Sequence, residues 1–329
     1  MTQHKLMNPL VSDIIRITVS AAIVIGFVGI NALFLVWLER KVSARIQLRY
    51  GPLYVGWQGT FQTLADAVKL LGKELVLPKQ ADKFLYLAAP LIVFTPALAL
   101  FLILPVGPGW MIRDLNIGML LVFALANIAF IGIFIAGWGS NNKYGVLGSM
   151  RAVAQNISYE IPLLLSVMGV ILLAGTFKMT ELVSLQQQEG WFLWKQPLAF
   201  LIFFCASLAE ANRAPFDIPE AESELVAGFH TEYSGMRFAL FFLGEYTAIF
   251  VSSAIAATIF LGGWLGPAFL PPAAWFFVKT YAIILAVMWI RWTFPRLRSD
   301  QLMAFCWKIL IPAALVNLLV TTVLVTWIM

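Results

Sequence analysis

The chain has 329 residues, 61% hydrophobic and 12% charged, with a formal net charge of +5 and a mean hydropathy of +0.86. Its apolar runs repeatedly exceed the roughly 18–20 residues needed to cross about 30 Å of hydrocarbon, so it reads as an all-α polytopic membrane protein in one membrane domain, residues 1–329. The runs are continuous and do not alternate at period two, which excludes a transmembrane barrel, and the positive balance sits in loops as an insertion signal, which removes nucleic acid as a partner.

The pattern predicts eight spans, over 14–37, 84–104, 117–138, 157–176, 197–210, 238–261, 273–290 and 304–328. The first run is longer than a signal-peptide core and lacks a small-residue cleavage pattern, so it is expected to be retained. The second carries Pro90 and Pro96 and the fifth is short, features tolerated where neighbouring helices or water satisfy the freed backbone groups; both are expected inside the bundle. Sixteen of the twenty-two Lys and Arg fall in or beside the loops 38–83, 139–156, 211–237 and 291–303, which puts those loops on the inner side and both termini on the outer, periplasmic side.

The first inner loop, about 45 residues, is too long for a mere connector. Within it Phe61, Leu64, Val68, Leu71 and Leu75 recur at helical spacing, with Gln62, Asp66, Lys69 and Lys73 on another face. This predicts an amphipathic helix at the interface or against the bundle, and a surface helix that only anchors the loop is the plain alternative. Before it, Glu39 and Arg40 stand where the first span meets the inner interface, followed by Arg45 and Arg49. These basic residues fix topology or bind lipid headgroups, or, with Gln47, Tyr50 and Trp57 beside them, dock another subunit. Arg296 and Arg298 in the last inner loop carry the same pair of readings. The outer loop 177–196 is Gln-rich and Trp-flanked, as suits a membrane-interface segment.

Seven of the seventeen acids lie between Glu210 and Glu245. Glu220, Glu222 and Glu224 alternate, so in an extended segment they share one side. Crowded like charges raise some of their pKa values, and the cluster is expected to titrate as a unit and exchange protons; a solvated acidic loop is the alternative. Glu245 lies about 10 Å along its span, Glu160 near the entry of the fourth and Glu210 at the inner end of the fifth, with Lys279 inside the seventh. Any one of these is readable as half of a structural ion pair. Three carboxylates on neighbouring spans, leading from one acidic loop, point to a hydrated proton relay.

No redox centre is expected in this chain. Its two cysteines, Cys205 and Cys306, are far apart, its two histidines, His4 and His230, lie outside the spans, and neither a phosphate-cradling Gly-Lys word nor a dinucleotide fingerprint occurs. No internal repeat is visible either, so the inverted-repeat signature of many secondary transporters is missing.

Three long words carry a family resemblance: the basic run from Glu39 to Leu70 with its GPLYVGWQG core, GWGSNNKYGVLGSMRAVAQNISYE from Gly137 to Glu160, and ANRAPFDIPEAESELVAGFHTEYSGMRFALFFLGEY ending at Tyr246. Together they resemble the H (ND1) family of membrane subunits of proton-translocating NADH:quinone oxidoreductase, respiratory complex I, in register from about Glu39 to Asp300. The resemblance implies an eight-span subunit at the joint of the redox and membrane arms. Quinone is its substrate, FMN and Fe–S clusters sit in partner subunits, and other complex I subunits and lipids are its partners. Carried over by motif, Glu39, Arg40, Asp66 and Lys69 line or flank the quinone chamber, and Asp217, Glu220, Glu222 and Glu224 occupy the loop facing quinone. Glu160, Glu210, Glu232 and Glu245 mark the acidic route toward the antiporter-like subunits, Arg213 orders the loop, and Arg45 and Arg49 lie near the peripheral subunits. Ala211 and Ile218-Pro219 depart from the mitochondrial form, and SGMRFALFF resembles the bacterial variant. The implied location is therefore the bacterial inner membrane, with the mitochondrial inner membrane as the alternative. Two other functions remain open: the homologous subunit of an energy-converting hydrogenase, against which the complete first-loop run counts, and a stand-alone ion transporter.

Overall fold

A computed structural model describes residues 9–111, 113–219 and 222–328; the side chains of 9–17, 222, 223 and 328 lie outside what it describes. Among the described residues the regular structure is helical, with no strand. Helix α1 (Pro9–Ile46) runs on past the predicted end of the first span at Trp37 and carries Glu39 and Arg40 on its last turns. A loop with a 3-10 turn at Trp57–Gly59 leads into α2 (Gln62–Gly72). Here Gly59 is indispensable: at φ 73° a Cβ would lie 2.4 Å from the Pro52 carbonyl oxygen.

Helix α3 (Lys83–Leu100) starts where the Asp82 carboxylate accepts from the amides of Phe84 and Leu85 at 3.0 and 3.2 Å, satisfying donors that a helix start leaves orphaned. Its Pro90 and Pro96 are buried in the bundle, as expected. Helix α4 (Gly118–Gly139) packs on it closely enough that a Cβ at Gly132 would lie 2.9 Å from the Val93 nitrogen. Helix α5 (Lys143–Ala174) opens on an Asn142 cap and closes on Gly175 in the left-handed region at φ 67°. The outer loop of the prediction folds as α6 (Met179–Glu189) and α7 (Phe192–Lys195), before α8 (Pro197–Glu210).

The acidic loop contains one short helix, α9 (Glu222–Leu225), and a 3-10 turn at Gly228–His230. Helix α10 (Gly235–Phe260) follows and is the most enclosed long helix, contacting α1, α2, α3, α8 and α11 (Pro272–Thr293). The chain closes with α12 (Ser299–Phe305), a π-helical turn at Cys306–Leu310 and α13 (Ile311–Ile328) as one continuous rod.

By length and composition seven of the described helices can cross a membrane: α1, α3, α4, α5, α10, α11 and the rod from Ser299 to Trp327. The protein is an integral membrane protein. The predicted fifth span corresponds to α8, which Pro197 starts and Asn212, at φ 50°, follows; its fourteen residues extend only about 21 Å. Helix α8 is nevertheless packed inside, against α5, α13 and α10.

On α2 the predicted apolar stripe does not face the bundle. Thr63 is the buried residue, while Phe61, Leu64, Val68 and Leu71 are all exposed. The bundle contact falls instead on the side bearing Asp66.

Candidate functional site

Four separate segments meet around Glu39, which is 6% exposed. From the loop after α8, Arg213, itself only 3% exposed, places Nη1 3.4 Å from Glu39 Oε1 and Nε 2.8 Å from Glu245 Oε1 on α10. Arg291, in the last turn of α11, pairs with the same Glu39 oxygen. Tyr246 donates its phenol to Glu39 Oε2 at 2.7 Å and lays its ring 4.7 Å from the Arg213 guanidinium. Two carboxylates thus share one enclosed guanidinium, with a second Arg and a phenol completing the shell. Isolated, each charge would carry a desolvation cost of several kcal/mol; together they satisfy one another.

Arg213 reaches this position because its loop is held from α5. Gln155 Nε2 donates to the carbonyls of Ala209 and Phe216, both at 2.8 Å, and the Leu297 amide donates to Pro215 O at 3.0 Å. Above the loop Arg296 pairs with Asp217 at 3.1 Å, and Arg151 with Glu224 at 2.6 Å.

Beside the ionic centre is a cavity of about 120 Å³ between α3, α4, α8 and α10. Its wall is mainly Val, Ala, Leu and Phe, but Glu210, Glu245, Asn212, His230 and Ser252 open into it. Burial pushes the His230 imidazole down to about 4, so it is neutral at physiological pH. Glu160 accepts from Asn127 of α4, and the Glu232 carboxylate accepts from Asn142 at 2.6 Å, while its carbonyl accepts from Tyr86. Tyr86 and Tyr233 stack at 4.2 Å, fixing the far part of the loop against α3.

The predicted residues are therefore distributed unevenly. Glu39, Arg213 and Glu245 form one centre, and Glu210 and Glu245 share the cavity. Arg40 pairs with Asp66 at 2.6 Å and ties α1 to α2, both partly exposed, while Lys69 is on the exposed side of α2. Arg45 and Arg49 are exposed beyond the end of the span pattern, with Arg49 donating to Gln47. Arg298 pairs with Asp300 at 3.0 Å, and both are well exposed. Glu220 lies outside the described residues, as does the side chain of Glu222. Glu224 is not among the acids of the cluster whose pKa is raised: its hydrogen bond and charge interaction with Arg151 hold its carboxyl below the ordinary range, aided by Arg296 and Arg298. The fold brings arginines up to the acids, which spacing along the chain does not show.

Tyr246, Arg291, Gln155 and Asn127 were missed as contributors. Tyr246 directly follows Glu245, and its phenol beside an interior acid was the available signal. Arg291 opens the basic stretch 291–303, where its charge reads as a topology signal, and nothing local to Gln155 reveals that it holds a loop more than fifty residues away.

A bundle of apolar helices enclosing an ionic centre and a carboxylate-bearing cavity defines a polytopic membrane protein. Residues 19–322 match the family described as NADH dehydrogenase. The chain is 50% identical over 307 residues to the H subunit of NADH-quinone oxidoreductase from Dehalococcoides mccartyi strain CBDB1, covering 93% of this chain and 86% of that one. The corresponding protein of Carboxydothermus hydrogenoformans is 46% identical over 95% of this chain and 90% of its own, and that of Geobacillus kaustophilus 49% identical over 93% and 92%. The chain belongs to this family of membrane subunits.

Proposed function

We propose that the chain is the membrane-arm subunit of a proton-translocating NADH:quinone oxidoreductase that walls the quinone-access chamber and begins the route by which quinone reduction drives proton movement. Reduction of a quinone takes up two protons with two electrons, so carboxylates beside the chamber feel its redox state. Electrons travel through FMN and Fe–S clusters in partner subunits; quinone and lipid are this chain's own ligands. Glu39, Arg40, Asp66, Lys69, Asp217, Glu220, Glu222 and Glu224 form the chamber side. Glu160, Glu210, Arg213, Glu232 and Glu245 form the coupling route, and Arg45, Arg49, Arg296 and Arg298 face partner subunits. Helix α8 acts as an eighth, short span, α2 lies with its apolar stripe at the lipid interface, and both termini are periplasmic in a bacterial inner membrane.

One observation carries this reading. Arg213 is bonded at once to Glu39, at the chamber end of α1, and to Glu245, which opens into the cavity. A change of charge at either carboxylate alters the field at the other through a shared, enclosed cation. Glu245→Gln in the purified, reconstituted complex should leave the subunit assembled and depress NADH-driven proton uptake several-fold. Wild-type uptake in that variant would remove Glu245 from the route.

A further inference from the structure

At the end of α10 remote from Glu245, Lys279 of α11 is 8% exposed. Its ammonium donates to three carbonyls in the segment after α10: Leu261 at 2.5 Å, Gly263 at 3.1 Å and Leu265 at 2.5 Å. Trp191 covers another side, with its ring centroid 4.9 Å from Nζ. The carbonyls converge because Gly262 and Gly263 turn the backbone at φ 74° and 50°. An ammonium has three donors, and all three are used, so none is left to hand a proton to water.

The position of this cage matters more than its chemistry alone. Along α10 the cavity wall ends at Ile255, about 9 Å before Leu261. The interval is filled: Thr258 is fully buried and its carbonyl accepts from Gln186 of α6 at 2.9 Å. The Lys279 amine group thus stands beyond the last α10 residue that lines the cavity of Glu210 and Glu245.

We propose that Lys279 is an electrostatic stopper, a caged ammonium that keeps protons and other cations in the carboxylate cavity from escaping along the far end of α10. The inference rests on the proposed proton-carrying role of that cavity. Carbonyls that would otherwise attract a mobile cation are occupied by one the chain cannot release, and its field in a low-dielectric surrounding opposes a second.

The test uses the purified complex in liposomes, with wild type, Lys279→Gln and Lys279→Arg compared for uncoupled NADH:quinone turnover, for the pH gradient reached, and for decay of an imposed gradient without turnover. Lys279→Arg should match wild type. Lys279→Gln should keep wild-type uncoupled turnover but reach roughly half the gradient or less, and lose an imposed gradient several-fold faster, as expected for loss of a charge barrier. Wild-type gradient and decay in Lys279→Gln would overturn the proposal, as would failure of that variant alone to assemble, which would assign the ammonium to folding. A parallel Glu245→Gln complex separates the two readings: wild-type pumping there defeats the cavity's role, while the decay of an imposed gradient still reports on Lys279.

Discussion

Two sets of ion pairs lie within the loop between α8 and α10 and its neighbours, and they differ in burial. Arg213 with Glu39 and Glu245 is enclosed, while Arg151 with Glu224 is open, the two side chains being 36% and 58% exposed. Exposed pairs are screened and contribute about 0–1 kcal/mol, whereas removing one partner from an enclosed set leaves an uncompensated charge at a cost of about 3–5 kcal/mol. The acids that look most conspicuous in the sequence include the openly paired Glu224; the electrostatically committed ones, Glu39 and Glu245, lie outside the dense cluster. Charge density along the chain is thus a poor guide to where charge is confined.

The largest effect that would break this contrast is at the shared cation. Arg213→Ala strands Glu245, leaves Glu39 to Arg291 and Tyr246, and should lower the stability of the purified complex by about 3–5 kcal/mol, read as a clear drop in its thermal midpoint. A midpoint like that of wild type would mean the centre is wetter than its geometry indicates. Arg151→Ala should cost about 0.2–1 kcal/mol and leave quinone-dependent NADH oxidation near wild type, an effect that added salt already mimics in the native complex.

The smallest effect concerns His230. Its folded value of about 4 lies below the ordinary 6.5, so between those values the unfolded chain binds more protons and stability falls as pH drops through that window. Above pH 6.5 the residue contributes nothing to pH dependence. His230→Asn should flatten the loss of stability between about pH 6.5 and 4 and leave the shape of the activity profile above pH 6.5 unchanged. A shifted profile above pH 6.5 would show that the imidazole titrates there.

Much of the fold was legible because hydrocarbon imposes a simple requirement, long apolar helices, and the runs at α3, α4, α10 and α11 meet it directly. What escaped was set by tertiary contact. That α8 extends only about 21 Å follows from Pro197 and Asn212, and the orientation of α2 depends on the neighbours that take its Asp66 side. At the site, interior acids were readable one by one, since each contradicts its surroundings. Their partners were not: Arg213 and Glu39 are separated by 174 positions and Arg291 and Glu39 by 252, distances over which no local pattern carries information.

If Glu39 and Glu245 act as one unit through Arg213, losing one carboxylate removes most of what the other contributes. A double-mutant cycle of Glu39→Gln, Glu245→Gln and the pair, scored by NADH-driven proton uptake in the reconstituted complex, tests it most directly. Coupling predicts a double variant little worse than the more impaired single one; losses that multiply independently would contradict the account.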